Sequence, residues 1–445
     1  MKVTMIYPAV GKKPGSKYIS SWKMEPLPIM TLAALTPPDV EVVFYDDRLE
    51  QIDYDHQTDL VAINIEAYSA LRAYGIAARF RERGIPVVFG GYQATLMPEE
   101  ASQHGDAVLI GEAEGLWNLV IADAKRNALQ KFYRSAERPQ FGMVIPRRDI
   151  LRNKAYTPIT LVETSRGCPY NCNFCSIKTF YNRTYGFRTP ASIAREIKIL
   201  GARSVFFVDD NIAADRKRAL ELFQALQPLG IQWVSQLSIN MASDAGLLKA
   251  MYQSGCRGVL IGFESLEPEN LGQMGKSWNL RIQYEEPLQK LHDQGLCVYA
   301  TFLFGYDHDD EGVFDKTVDF AINNKFFLAA FNHLLPFPGT DLHRQFTREG
   351  RMLNSRWWLD EAYQFGSIPF RPKLMTPEAL EYACIKARSD FYSAPSIIRR
   401  GLDFKTNCGS ALLASVFFTQ NILARREVKE RWGLPLAQNL DTAGK

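Results

Sequence analysis

Glu163-Thr-Ser-Arg-Gly-Cys-Pro-Tyr-Asn-Cys-Asn-Phe-Cys175 is the stretch on which the reading of this 445-residue chain turns. Three cysteines, Cys168, Cys172 and Cys175, stand at C-x3-C-x2-C spacing on a loop that follows the apolar, strand-like run Ile159-Thr-Leu-Val-Glu163. Three thiolates on so short a loop can converge on one inorganic centre, and thiolate sulfur is the usual ligand of iron–sulfur clusters. A four-iron cubane held by three cysteines keeps one iron open to a chelating ligand. A structural zinc site asks for four ligands, and neither a histidine nor a fourth cysteine stands near Cys175. A disulfide scaffold fits no better, because seven cysteines in a chain of this length are few and odd in number.

With Arg166-Gly167 and Pro169 beside it, the triplet resembles the signature of the radical S-adenosylmethionine (SAM) superfamily. The resemblance implies a [4Fe–4S] cluster on Cys168, Cys172 and Cys175, whose fourth iron is chelated by the amino and carboxylate groups of SAM. Electron transfer from such a cluster cleaves a carbon–sulfur bond of SAM, and Phe174 would lie near the adenine. An electron donor such as flavodoxin or ferredoxin is implied as well.

Composition sets the frame. A hydrophobic content of 46% in 445 residues allows two or three domains with ordinary cores. The net charge is +3 with acids and bases interleaved, which gives no electrostatic footprint for nucleic acid and makes a small molecule the default substrate. Met1-Lys-Val-Thr-Met-Ile-Tyr-Pro8 is not built as a signal peptide, and Ala411-Leu-Leu-Ala-Ser-Val-Phe-Phe418 falls short of the ~20 residues of a membrane span. A cytoplasmic protein is expected, in a compartment where thiols stay reduced.

Residues 1–130 alternate buried strands (Lys2–Tyr7, Val40–Tyr45, Leu60–Asn64, Pro86–Gly90, Ala107–Ile110) with helical stretches. That alternation predicts an α/β, doubly wound, Rossmann-like sheet whose ligand sits at the carboxyl ends of the strands. The layout resembles the cobalamin-binding domain that precedes the radical domain in one group of these enzymes, through Gly90-Gly91 after the fourth strand and Gly111-Glu-Ala-Glu-Gly115 after the fifth. The resemblance implies that Glu66, Tyr68, Gly90, Gly91, Tyr92, Gln93 and Glu112 face cobalamin. The Asp-x-His-x-x-Gly motif that supplies a cobalt-ligating histidine elsewhere is absent: Ala9-Val-Gly-Lys-Lys-Pro14 stands after strand one. Relatives with this domain bind cobalamin without a histidine ligand, and others bind none.

Residues 131–157 read as a linker. Over 158–345 six strand–helix repeats predict a partial (β/α)6 barrel of the radical SAM type, with the cysteine loop after its first strand. The resemblance makes Glu264 a ligand of the SAM ribose, Gln236 and Asn240 partners of its carboxylate or of substrate, Ser265 a neighbour, and Glu196 an acid near its amino group. The plainer reading of such carboxylates is loop or helix capping, with Asp209 or Asp210 as the N-cap of the next helix. Residues 346–445 read as an aromatic connection and helices that cap the open barrel, or as a dimer face or third core. Cys256, Cys297 and Cys384 suit buried small hydrophobes; Cys384 and Cys408 are also open to a catalytic reading, and His333 to contact with substrate.

The reaction so implied is reductive cleavage of SAM to modify a small molecule, with cobalamin-dependent methyl transfer to an unactivated carbon or phosphorus in first place. Without cobalamin the same apparatus suits cyclisation, rearrangement, carbon–heteroatom bond formation or 3-amino-3-carboxypropyl transfer. A cobalamin or iron–sulfur binding module without turnover is the reading from another class.

Overall fold

The computed structural model describes residues 1–440 apart from Ala136, Gln140 and Met143. Two six-stranded parallel sheets carry the fold. The first comprises β1 (Lys2–Tyr7), β2 (Glu41–Asp46), β3 (Leu60–Asn64), β4 (Val87–Gly90), β5 (Ala107–Ile110) and β6 (Phe132–Arg134), in the order β2-β1-β3-β4-β5-β6. Its inner strands, β1, β3, β4 and β5, are short apolar runs because both faces are covered. Ile6, Val61, Ile63 and Phe89 point into one core, while Val3, Met5, Leu60, Ala62 and Val88 point into the other. The strand order reverses at β1, so the crevice of this sheet opens at the carboxyl ends of β1 and β3, after Tyr7 and Asn64.

The expected linker starts as structure. Phe132–Arg134 adds β6 to the sheet in parallel with β5, Leu109 opposite Tyr133. Its three residues are too few, and two of them too exposed, to show a strand pattern in the sequence.

After β7 (Thr160–Val162) the chain makes a two-residue antiparallel hairpin, β8 (Ser165–Arg166) with β9 (Gly186–Phe187). The second large sheet then runs through β10 (Ser204–Phe207), β11 (Gln232–Gln236), β12 (Cys256–Glu264), β13 (Cys297–Phe304) and β14 (Leu328–His333), in sequence order from β7 to β14. All neighbours are parallel and the two edge strands do not pair, so this is a partial barrel. Local signals fix the intervening helices. Pro190–Leu200 starts at Thr189, whose hydroxyl accepts from Ser192 N–H, and stops at left-handed Gly201.

The C-terminal region packs into the cores of both large sheets. Trp357, Trp358 and Tyr363 enter the core of the first sheet, where Trp358 Nε1 donates to Glu100 Oε1 at 2.9 Å. Helix Pro377–Phe391 packs on β14 and on helix Val313–Asn323, and its Leu380 and Arg388 reach the carboxyl ends of β13 and β14, beside Gly305 and at Asn332. Two short strands, β15 (Gln364–Phe365) and β16 (Leu434–Pro435), pair antiparallel and close the chain back onto this region. Among the described residues no helix is long and apolar enough to cross a membrane.

Candidate active site

The cysteine loop is a lobe pinned at its neck and at its tip. At the neck, the β8–β9 hairpin gathers Gly167 to Tyr185 into one excursion. Gly167 has φ +87°, and a Cβ there would stand 2.1 Å from Thr184 O, so only glycine lets the two ends of the lobe close. Asp210 Oδ2 accepts Gly167 N–H at 3.0 Å, while Asp209 accepts Thr164 N–H at 3.2 Å and the hydroxyls of Thr164 and Ser165. Asp209 is fully buried, which pushes its carboxyl up to about 7; Asp210 rises to about 6 for the same reason. Neither aspartate caps a helix: Asp215 is the N-cap of Arg216–Leu226.

At the tip, Asn173 is held from three segments. Its N–H donates to Met274 O at 3.0 Å and its Nδ2 to Gln273 O at 3.1 Å. Its Oδ1 accepts Tyr306 O–H at 2.9 Å, and its carbonyl accepts Leu342 N–H at 3.0 Å. Cys172 is buried, Cys168 and Cys175 half-buried, and all three are free thiols. Burial pushes the Cys172 thiol up to about 12, and the nearby Lys276 ammonium pulls against it. Three thiols that burial keeps protonated suit a site where iron displaces the protons. Lys276, half-buried, supplies a positive charge beside the thiolates so formed. Among the described residues no three His, Cys, Asp or Glu side chains gather as the ligand set of a single metal ion.

Beside the lobe, Glu264 ends β12 at φ +64°, after a register shift against β13. Its Oε1 meets Lys276 Nζ at 2.7 Å, and a Cβ on Gly262 would stand 2.3 Å from that oxygen. Gln236, half-buried at the end of β11, makes no side-chain hydrogen bond among the described residues and is free for a ligand. Asn240 Nδ2 donates to Tyr170 Oη at 3.1 Å, and Trp278 stacks on Tyr170 at 4.2 Å, which ties β11's loop to the cysteine lobe. Phe174 packs half-buried against the barrel core.

Two expected SAM contacts are engaged elsewhere. Glu196 is wholly buried, and its Oε2 takes Arg188 Nη1 at 2.5 Å; Arg188 also donates to Glu163 O at 3.0 Å. The carboxylate thus braces the backbone between β7 and the lobe. Ser265 is buried and its Oγ accepts Glu267 N–H at 3.1 Å, closing the turn after β12.

Between the crevice of the first sheet and the cysteine lobe lies a cavity of about 610 Å³. One wall carries Tyr7, Glu66, Tyr68, Gly90, Gly91, Tyr92 and Glu112. The other carries Glu163, Phe180, Tyr181 and Asp210. The walls meet where Tyr92 packs on Phe180, ring centroids 4.5 Å apart. Gly91 has φ +97°, and a Cβ would strike Asn64 Oδ1 at 2.6 Å, so this position of the cavity wall requires glycine. Glu66 opens onto the cavity, yet surrounding protein still raises its carboxyl, and Tyr7 O–H reaches it at 3.5 Å. Tyr68 is fixed by tilted packing on Phe365 and Trp357 at 5.1 and 5.2 Å. Among the described residues no histidine lines the cavity.

Gln93 departs from expectation: it is buried in the first domain with Nε2 on Glu100 Oε1 at 2.9 Å, because the helix Tyr92–Leu96 turns it away from Tyr92. Glu112 lines the cavity but is also held by cations, Arg138 Nε at 2.7 Å and Arg166 Nη1 at 3.0 Å. Arg166 further contacts Glu114 Oε1 at 2.8 Å and Glu163 Oε1 at 2.9 Å. Burial works against this guanidinium's charge, but Glu163 and Glu114 outweigh it. Arg166, Asn173, Asp210 and Lys276 are the site residues that sequence reasoning did not assign. Arg166 and Asn173, beside and within the cysteine motif, and Asp210, at the end of a strand, carried a local signal; Lys276 carried none.

The Radical SAM superfamily model matches residues 162–321, which span this lobe and most of the barrel. The chain is 30% identical to the bacteriochlorophyllide d C-12(1)-methyltransferase of Chlorobaculum tepidum, over 84% of this chain and 84% of that protein. It is 28% identical to the bacteriochlorophyllide d C-8(2)-methyltransferase of the same organism, over 90% and 92%. The chain belongs to the radical SAM superfamily. Its fold is that of the radical SAM methyltransferase TsrM from Kitasatospora setae, solved with cobalamin and a [4Fe–4S] cluster: TM-score 0.66 at 15% identity, over 96% of this chain and 99% of that one.

Proposed function

We propose that the protein is a cobalamin-dependent radical SAM methyltransferase acting on a carbon of a small organic molecule. The observation that carries this reading is the cavity shared by the two domains, with the Gly90-Gly91 edge of the first sheet on one side and the cysteine lobe on the other. The names of the methyltransferase relatives support it, as does the cobalamin in the TsrM structure.

In this reading Cys168, Cys172 and Cys175 hold the cluster, and Gln236, Asn240 and Glu264 at the carboxyl ends of β11 and β12 hold SAM, with Phe174 beside the adenine. Gly90, Gly91, Tyr92, Tyr68, Glu66 and Glu112 would hold cobalamin, through backbone, aromatic and carboxylate groups on the cavity wall. When bound, the cluster supplies the electron that cleaves SAM, and cobalamin supplies the cobalt that carries the methyl group. The protein's own work is positioning and exclusion of water. Asn173 and Gly167 set the thiols, the Glu264–Lys276 pair balances charge beside them, and Tyr92 on Phe180 closes the passage between the domains. Flavodoxin or ferredoxin would deliver the electron.

Anaerobic incubation of the reconstituted, dithionite-reduced protein with SAM tests the reading. Both 5′-deoxyadenosine and S-adenosylhomocysteine are expected, the second because the methyl group leaves SAM. Cleavage without S-adenosylhomocysteine would indicate a cobalamin-independent radical reaction. No cleavage at full iron content would leave a binding module.

A further inference from the structure

Helix Ala394–Gly401, the loop after it and helix Ala411–Arg431 are anchored inward by polar bonds that fix their orientation. Arg400, fully buried, donates to Phe326 O and to Asn421 Oδ1, each at 2.9 Å, and Asn421 Nδ2 donates to Phe327 O at 3.0 Å. The opposite side is apolar and uncovered. Ile398 is 59% exposed, Leu402 64%, Phe404 75% and Ile422 62%, with Val416 and Phe418 also exposed. A groove of about 350 Å³ runs between the helices, lined by Ile398, Leu402, Phe404 and Phe418. Large apolar side chains on adjoining elements at this exposure form a contiguous patch, unlike single hydrophobes scattered over a surface.

The rim of the patch is cationic. Arg399 follows Ile398, and Arg425 and Arg426 follow Ile422 by three and four residues, on the same helix face. Arg399 is bonded to the neutral Asn323 Oδ1 at 2.8 Å, and Arg425 has no acidic partner among the described residues. Arg426 pairs with Glu430 at 2.6 Å. Asp403, the acid next to the groove, is buried and consumed by Thr406, Lys405 N–H and His292.

We infer that this face seats the protein on a membrane surface containing anionic lipids. The apolar side chains enter the boundary between headgroups and acyl chains, and the arginines meet lipid phosphates. A second copy of the chain is the weaker occupant, because it would bring the same arginines against them. With no helix fit to cross a bilayer among the described residues, the attachment is interfacial and reversible.

Flotation of the full chain with vesicles tests this, using phosphatidylcholine alone and a three-to-one mixture of phosphatidylcholine with phosphatidylglycerol, alongside sedimentation velocity without lipid. The chain should float with the anionic vesicles, less so with the neutral ones, and less at high salt. Phe404→Ser and Leu402→Ser should each lower the partition about tenfold. Arg425→Glu should remove the preference for phosphatidylglycerol. These side chains are exposed, so iron content and SAM cleavage should stay at the parent's level. Absence of flotation with the anionic vesicles overturns the inference, whether the chain is a monomer or a dimer that Phe404→Ser dissociates; the dimer would make the face a contact between copies. Flotation unaffected by all three substitutions also overturns it.

Discussion

Arg166, two residues before the first cysteine, reaches across the domain boundary to Glu112 of the first sheet, Nη1 to Oε1, at 3.0 Å. The same guanidinium holds Glu114 and Glu163, so one side chain joins the acidic loop after β5 to the neck of the cysteine lobe. The Gly-Glu-Ala-Glu segment therefore lines the cavity and fastens the wall opposite to it.

Replacing Arg166 by Ala should strand Glu114 and Glu163, while Glu112 keeps Arg138, at a cost of about 3 to 5 kcal/mol. Thermal unfolding should move down by several degrees, and Arg166→Lys should recover only part of the loss because ammonium cannot serve three partners in a planar fork. A melting temperature equal to the parent's would remove this residue from the seam.

Gly167→Ala should lower the iron content on reconstitution, since its Cβ would meet Thr184 O at 2.1 Å in a left-handed backbone conformation. Ala in place of Cys168, Cys172 and Cys175 together should abolish the broad visible absorbance and all SAM cleavage. Retained cleavage in that variant sinks the cluster assignment.

Glu264→Gln keeps the size of the side chain and removes its charge beside Lys276. SAM affinity, measured by equilibrium dialysis, should fall roughly tenfold with the iron content unchanged. An affinity equal to the parent's would take Glu264 out of the SAM site and leave it as the partner of Lys276.

Asp209 gives a pH dependence with a definite sign. Its folded pKa is raised from 3.8 to about 7, chiefly by burial, so folding favours the protonated carboxyl. That contribution is complete below about pH 4 and disappears as pH rises through about 7, amounting to a few kcal/mol. Urea titrations of parent and Asp209→Asn at pH 5 and pH 8 should show the parent losing more stability across that interval. Equal losses would contradict the assignment.

The parts of the fold legible in sequence were those with local causes. Buried parallel strands read as apolar runs, and Thr189-Pro190 and Gly201 mark one helix at both ends. The cysteine spacing is likewise contained in eight residues. The parts that stayed hidden rest on contacts between distant segments. Glu196 looked available for SAM because nothing near it in the chain reveals that Arg188 turns back onto it. Gln93 follows Tyr92 directly, yet one step along a helix sends it into the core while Tyr92 lines the cavity. The destination of Trp357 and Trp358 is set by Glu100 and the first sheet, more than 250 residues earlier, so aromatic content alone could not show which core they enter.

The central claim is that the shared cavity holds cobalamin beside a cluster-bound SAM. Its most direct test is the metal content of the chain purified and reconstituted anaerobically with iron, sulfide and hydroxocobalamin, then freed of unbound cofactor. The account predicts about four irons and about one cobalt per chain, with the visible spectra of both. Full iron with no cobalt would contradict it, leaving a radical SAM enzyme whose first domain holds no corrinoid.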